Sequence, residues 1–124
     1  MAHRIYPLRL WTTQDLDASG VLTSGIIDCR NSDPETLLFR VTNASGNADV
    51  KIEIRISNDG TNFNSATSQD PLVASSNTDF GAANPEEYHG LIVPFAPWIR
   101  LVGTELSGTL DNSVVDATLW MREL

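Results

Sequence analysis

At 124 residues, with 41% hydrophobic residues, the chain is sized for one domain that buries its own core, and it is too apolar for general disorder. Its net charge of −8 repels phosphate backbones and anionic lipids, which makes nucleic acid and membranes poor partners. Cys29 is the only cysteine, so no intrachain disulfide can form, and it reads as a small buried apolar residue.

Taken from the first residue onward, apolar side chains recur at spacing two and turn residues arrive about every ten positions. This pattern predicts an all-β fold, an antiparallel β-sandwich of about eight strands, near 4–12, 21–29, 36–43, 48–57, 70–75, 89–95, 98–103 and 113–122. A jelly-roll arrangement is expected, because the cysteine pair and core tryptophan spacing of an immunoglobulin domain are missing. All of 1–124 is read as one domain. The opening MAHRIYPLRLW lacks the apolar run of a signal peptide, and no stretch approaches 18 apolar residues, so cytoplasmic synthesis is expected.

The first strand is crowded with Ile5, Tyr6, Leu8, Leu10 and Trp11. Asp15-Leu16-Asp17-Ala18-Ser19-Gly20 then has the D-x-D-x-S-G spacing of a calcium loop. Ile26 stands where the bidentate Glu of such a loop belongs, so the segment reads as a polar turn. Asn31-Ser32-Asp33-Pro34 breaks the chain again, and Asn43 to Asn47 is a short polar connection.

The firmest strand is VKIEIRIS, 50–57. Val50, Ile52, Ile54 and Ile56 point to one side, and Lys51, Glu53, Arg55 and Ser57 to the other. That is a sheet with one dry and one charged face. Burying the four apolar side chains contributes roughly 6–12 kcal/mol as an upper bound. Ser57 to Thr61 is a turn with Gly60 at the position that needs a positive φ. Residues 58–88 are rich in Asn, Ser, Thr, Asp and Gly. They are read as a short edge strand at 70–75, with Pro71 at its start, carrying a flexible arm on each side.

Pro94 to Val102 reads as two strands meeting at a proline-bounded corner. In the final strand Val115, Ala117, Leu119 and Met121 form one row, and Val114, Asp116, Thr118 and Trp120 the opposite one. A strand apolar on nearly both faces is either central in its sheet or covered by a neighbouring subunit. The arms 1–12 and 113–124 are therefore candidates for subunit contact, through Tyr6, Leu8, Leu10, Trp11, Val114, Trp120 and Met121. Seven arginines against the single Lys51 point to fixed, bidentate pairings.

No catalytic constellation emerges. His3 and His89 have no metal-ligand spacing around them, and Glu86-Glu87-Tyr88-His89 reads as solvated charge at a strand start. Nucleophile elbows, phosphate-binding loops and zinc motifs do not occur, so neither an enzyme nor a cofactor is expected. Asn43-Ala44-Ser45 matches a glycosylation acceptor but reads as a turn. Trp11, Trp98 and Trp120 with Tyr6 and Tyr88 could stack sugars, though three tryptophans in a small β domain also serve as core or interface anchors.

Three segments carry a family likeness: TLLFRVTNASGNADVKIEIRIS (36–57), SNDGTNF (57–63) and PWIRLVGTELSGTLDNSVVDATLWM (97–121). Together they resemble small β-sandwich structural proteins of tailed bacteriophage virions, in particular capsid decoration (cement) proteins. The resemblance implies a shell-stabilising protein on the outer capsid surface that bridges capsomers. Its partners would be copies of itself, as a homotrimer, and the major capsid protein. The Trp98-Ile99-Arg100-Leu101 phrase is also similar to discoidin-like sugar-binding sandwiches, so a carbohydrate-binding module remains an alternative, as does a tail- or neck-associated component.

Overall fold

The computed structural model describes residues 4–64, 75–79, 86–93, 95–107 and 111–124, with backbone only for 75–79 and 87. Nine strands follow one another: β1 (Ile5–Leu16), β2 (Val21–Thr23), β3 (Ile27–Asp28), β4 (Ser32–Ser45), β5 (Asp49–Ser57), β6 (Ser75–Asp79), β7 (Glu86–Ile92), β8 (Trp98–Glu105) and β9 (Asn112–Glu123). No helix occurs among the described residues.

All pairings are antiparallel, in two sheets. The first has the order β1-β9-β4-β7 and the second β2-β8-β5-β6, with β3 also on β8. β2 and β3 are one strand interrupted at Ser24. Its amide donates to Leu101 O at 2.9 Å and its Oγ accepts from Leu101 N at 2.9 Å, so a side chain fills the gap in the ladder. With β2 and β3 fused, eight strands remain, and first pairs with last, second with second-last, and so inward to the β5·β6 pair. A long hairpin folded over on itself in this way, its pairs alternating between two sheets, is a jelly roll.

The alternation read in 50–57 places Val50, Ile52 and Ile54 fully in the core, while Ile56 lies at its rim. They meet Ile99 and Leu101 of β8, and across the sandwich Leu37, Phe39 and Val41 of β4 and the Val115, Ala117, Leu119, Met121 row of β9. Trp11 reaches across between the sheets onto Gly103. A Cβ there would come within 3.2 Å of Ile52 and 3.4 Å of the indole, so any larger residue would push these side chains back by a few tenths of an ångström.

The turn after β5 has the predicted chemistry. Gly60 sits at φ 77, and Asp59 Oδ1 accepts from the amides of Thr61 and Asn62 at 2.8 Å each. The expected edge strand appears five residues beyond its predicted start, at Ser75–Asp79 beside β5; Pro71 and most of 70–75 lie outside the described residues.

Several boundaries differ from the sequence reading. β1 continues past 12 to Leu16 through two register shifts, between Arg9 and Trp11 and between Trp11 and Gln14. Each lets one extra residue bulge out, so the polar stretch Thr12 to Asp15 stays on the ladder. β4 starts at Ser32 rather than 36, and β7 at Glu86 rather than 89. Glu86 to His89 is therefore sheet, paired residue by residue with Thr42 to Phe39.

Candidate functional site on the outer face of the first sheet

Residues of the first sheet whose side chains alternate away from the core form a second surface on its outer side. The register stacks them in rows across four strands: Pro7, Trp120, Thr36 and Ile92, then Arg9, Thr118, Leu38 and Gly90, then Asp116, Arg40 and Tyr88. Ile92 is 86% exposed, Tyr88 72% and Leu38 48%.

A concavity of about 590 Å³ opens on this face, between Arg9 on β1 and Tyr88 on β7. Gly90 shapes its floor. With no side chain there, Leu38 lies over the glycine, and a Cβ would meet Leu38 Cδ2 at 3.3 Å.

The polar side of the concavity is held in place by the β1 bulge. Thr13 adopts φ 49, unusual for a β-branched residue, and its amide turns to donate to Asp116 Oδ1 at 2.9 Å. Asp116 Oδ2 accepts from Arg40 Nη2 at 2.8 Å, and Arg40 Nη1 lies 3.6 Å from Glu86. The Arg40 guanidinium stands over the Tyr88 ring, 5.9 Å from its centroid. Burial pushes the Asp116 carboxyl up. The hydrogen bonds from Arg40 and Thr13, with the charges of Arg40 and Arg9, outweigh burial and hold its pKa below the ordinary carboxylate value. Hydrogen bonds to Asp116 and Tyr88 raise Arg40 above the usual arginine range. The Arg9 side chain, by contrast, makes no hydrogen bond or close ion pair with any described residue, and its charge reaches Asp116 only through space.

The seven residues read as subunit-contact candidates divide between the two sides of the sheet. Trp11 and Met121 face inward and are buried in the core of a single chain, and Tyr6, Leu8 and Leu10 pack partly against that core. Their apolar character is accounted for by packing within the sandwich itself. Val114 and Trp120 lie half-buried on the outer face, as the alternation predicted. Leu38, Arg40, Tyr88 and Ile92 were missed. Their signal is the β4 phase opposite Leu37, Phe39 and Val41, which pairing with β7 carries over to Tyr88 and Ile92.

The tryptophans do not line up as a sugar platform. Trp11 is in the core, Trp120 on this face, and Trp98 on the second sheet beneath the Arg30 guanidinium at 4.3 Å. In the Asp15 to Gly20 segment, Gly20 N donates to Asp17 O at 2.7 Å and Asn112 Oδ1 accepts from Ala18 N at 3.3 Å, a turn tied to the start of β9. No group of three or more His, Cys, Asp or Glu gathers at metal-binding distance among the described residues.

No protein-family model matches the sequence, and no curated protein matches it. The fold does match solved structures. A chain in a structure of infectious bursal disease virus, Gx strain, superposes with TM-score 0.62 at 8% identity, over 98% of this chain and 32% of that one. VP2 of the same virus, in a subviral particle, gives TM-score 0.60 at 12% identity over 98% and 32%. Dimeric latent PorU from Porphyromonas gingivalis gives 0.54 at 9% identity, over 99% of this chain and 13% of that one. The chain thus spans about a third of the length of the viral chains it matches. At these identities the likeness is one of fold: a jelly-roll sandwich of the kind that also occurs in a viral particle protein.

Proposed function

We propose that the chain is a structural, non-catalytic protein of a virus particle, and more narrowly a capsid decoration protein of a tailed bacteriophage. The observation that carries this reading is the jelly roll, which follows a viral VP2 sandwich over 98% of the chain. The partly apolar outer face of the first sheet supports it, because a protein that works by adhesion needs a surface its own core does not use. In this role the protein sits on the outer capsid surface and bridges neighbouring capsomers of the major capsid protein. It assembles there as a trimer, which suits threefold positions of an icosahedral shell. Its net charge of −8 favours the outside of the shell over the DNA-lined interior.

The reading is tested by the mass of the purified protein in solution and by co-sedimentation with native particles. A trimer that saturates particles and raises their resistance to heat is the expected outcome. A monomer that never sediments with capsids would overturn it.

A further inference from the structure

We propose that the concavity on the outer face of the first sheet binds a saccharide, through a sugar that carries one carboxylate. A cavity of about 590 Å³ falls within the roughly 300–1,000 Å³ of small-molecule sites. Its two walls call for different chemistry.

Tyr88 presents an aromatic ring that is mostly in solvent yet held in position. Arg40 stands over it, and Arg40 is itself fixed by Asp116 and Glu86. An ordered, open aromatic ring is a stacking surface for the apolar C–H face of a pyranose, gained without first ordering a mobile side chain. Between Tyr88 and Arg9, Asp116 and Thr118 offer partners for hydroxyl groups. Asp116 is already ordered by Thr13 and Arg40, and each of its oxygens keeps a free lone pair.

Arg9 stands on the opposite wall. Arg4, Arg30, Arg40, Arg55 and Arg122 each lie within ion-pair distance of a carboxylate, and Arg100 is stacked on Phe63. Arg9 alone lines a cavity with no such partner among the described residues. A guanidinium in a concave site matches a carboxylate bidentately. The surrounding charge of −8 sets the limit: a single carboxylate is drawn to Arg9, whereas a polyanion is repelled by the rest of the surface. The fitting ligand is therefore an otherwise neutral glycan with one acidic sugar, and not a polyuronate or a nucleic acid.

The test is an NMR titration of the full chain, following backbone amides. The probes are 3′-sialyllactose and a glucuronic-acid-terminated disaccharide, each run against its neutral parent sugar. Saturable shifts are expected at Arg9, Tyr88, Gly90 and Thr118, with an acidic probe preferred at least about tenfold over its parent, equivalent to about 1.4 kcal/mol. Arg9→Gln removes that preference and retains the weaker neutral binding, while Tyr88→Ala weakens acidic and neutral probes alike. Both side chains are exposed, so an unchanged spectrum away from the concavity shows that each variant is folded.

Absence of shifts with both acidic probes up to on the order of 10 mM overturns the proposal. So does equal affinity for acid and neutral parent, or movement of the same amides on raising protein concentration alone, which would mean that a second copy occupies the face. None of these outcomes depends on whether the protein decorates a particle.

Discussion

On the outer face of the second sheet, Glu53 is only 3% exposed, between Lys51 Nζ at 3.7 Å and Arg55 Nη2 at 3.5 Å. Arg55 stands directly across from Arg100, and Phe63 stacks on Arg100 at 4.5 Å. The segment after the turn folds back along β5, where the Asn64 amide donates to Ile56 O at 3.2 Å and its side-chain Oδ1 accepts from Ile56 N at 2.9 Å. On the outer face of the first sheet, Arg40 and Asp116 form a closer pair at 2.8 Å, yet their side chains keep 39% and 25% of their exposure. Leu38, Tyr88 and Ile92 beside them remain open to solvent. Both faces combine arginine, carboxylate and aromatic groups. One is closed over by the chain's own loop, so its charges serve stability. The other is left open, with its charges braced from below, and that is the arrangement a binding face requires.

The largest difference should come from the shared core set against the open face. Ile54→Ala removes a fully buried side chain between the sheets and is expected to cost about 2–5 kcal/mol. Leu38→Ala, half-exposed on the outer face, should change stability by less than about 0.5 kcal/mol. Urea denaturation of the two variants measures both, and comparable losses would mean that the outer face is part of the folding core.

The two charge clusters give the next contrast. Glu53→Gln strips the carboxylate between Lys51 and Arg55 and leaves Arg55 opposed to Arg100 in a covered site. Breaking a fully buried pair costs about 3–5 kcal/mol; with Arg55 partly exposed, about 2 is expected here. Asp116→Asn acts on a half-exposed pair and should cost about 0.5–1 kcal/mol. Equal losses would remove the distinction between a covered and an open cluster.

Thr13 sharpens the same point. Its φ of 49 strains a β-branched residue by about 1–2 kcal/mol, whereas glycine gives up about 0.5–1 in chain entropy. Thr13→Gly should therefore stabilise the protein by up to about 1 kcal/mol. The backbone amide that holds Asp116 is kept, so the Asp116 side-chain signals should not move. A loss of stability instead would show that the bulge is not strained.

Much of this architecture can be read from residues close together in the chain. The alternation of 50–57 fixes which side of β5 is dry, and Gly60 after Asp59 fixes the turn. The row from Val115 to Met121 fixes which side of β9 faces the core. The outer-face site was not legible in the same way, because it is assembled by pairing across the sheet. Arg40 meets Asp116 across 76 residues, and Tyr88 only because β7 begins at Glu86. Read locally, Glu86 to His89 is a charged strand start, and the polar Thr12 to Asp15 looks like the end of β1. The bulges that carry β1 onward depend on β9 as a template, which no local pattern contains. The apolar residues of the terminal strands are ambiguous for the opposite reason: a central strand of a sandwich and a strand buried in a subunit interface have the same composition.

Acid titration makes the smallest and most local comparison. Asp28, on the second sheet, is held down to about 2 by hydrogen bonds from the Arg30 side chain and amide, and Asp116 on the first sheet is also held below 3.8. Asp59 is depressed by the amides of Asn62 and Thr61 in the turn after β5. A carboxyl with a lower pKa folded than unfolded binds fewer protons in the native state. Its contribution is fully present above the unfolded value near 4 and is lost as pH falls through the folded value. The urea midpoint should therefore be flat from about pH 7 to pH 5 and fall between about pH 4 and pH 2. In Asp116→Asn the fall should be shallower, while the Asp28 carboxyl still titrates near 2 by NMR, because the two groups lie on different sheets and share no partner. An Asp28 midpoint near 3.8 would mean that the Arg30 pairing, exposed on both sides, does not persist in water. The open-face pair, braced by Thr13 and Glu86, would then be the one ordered ion pair of the two.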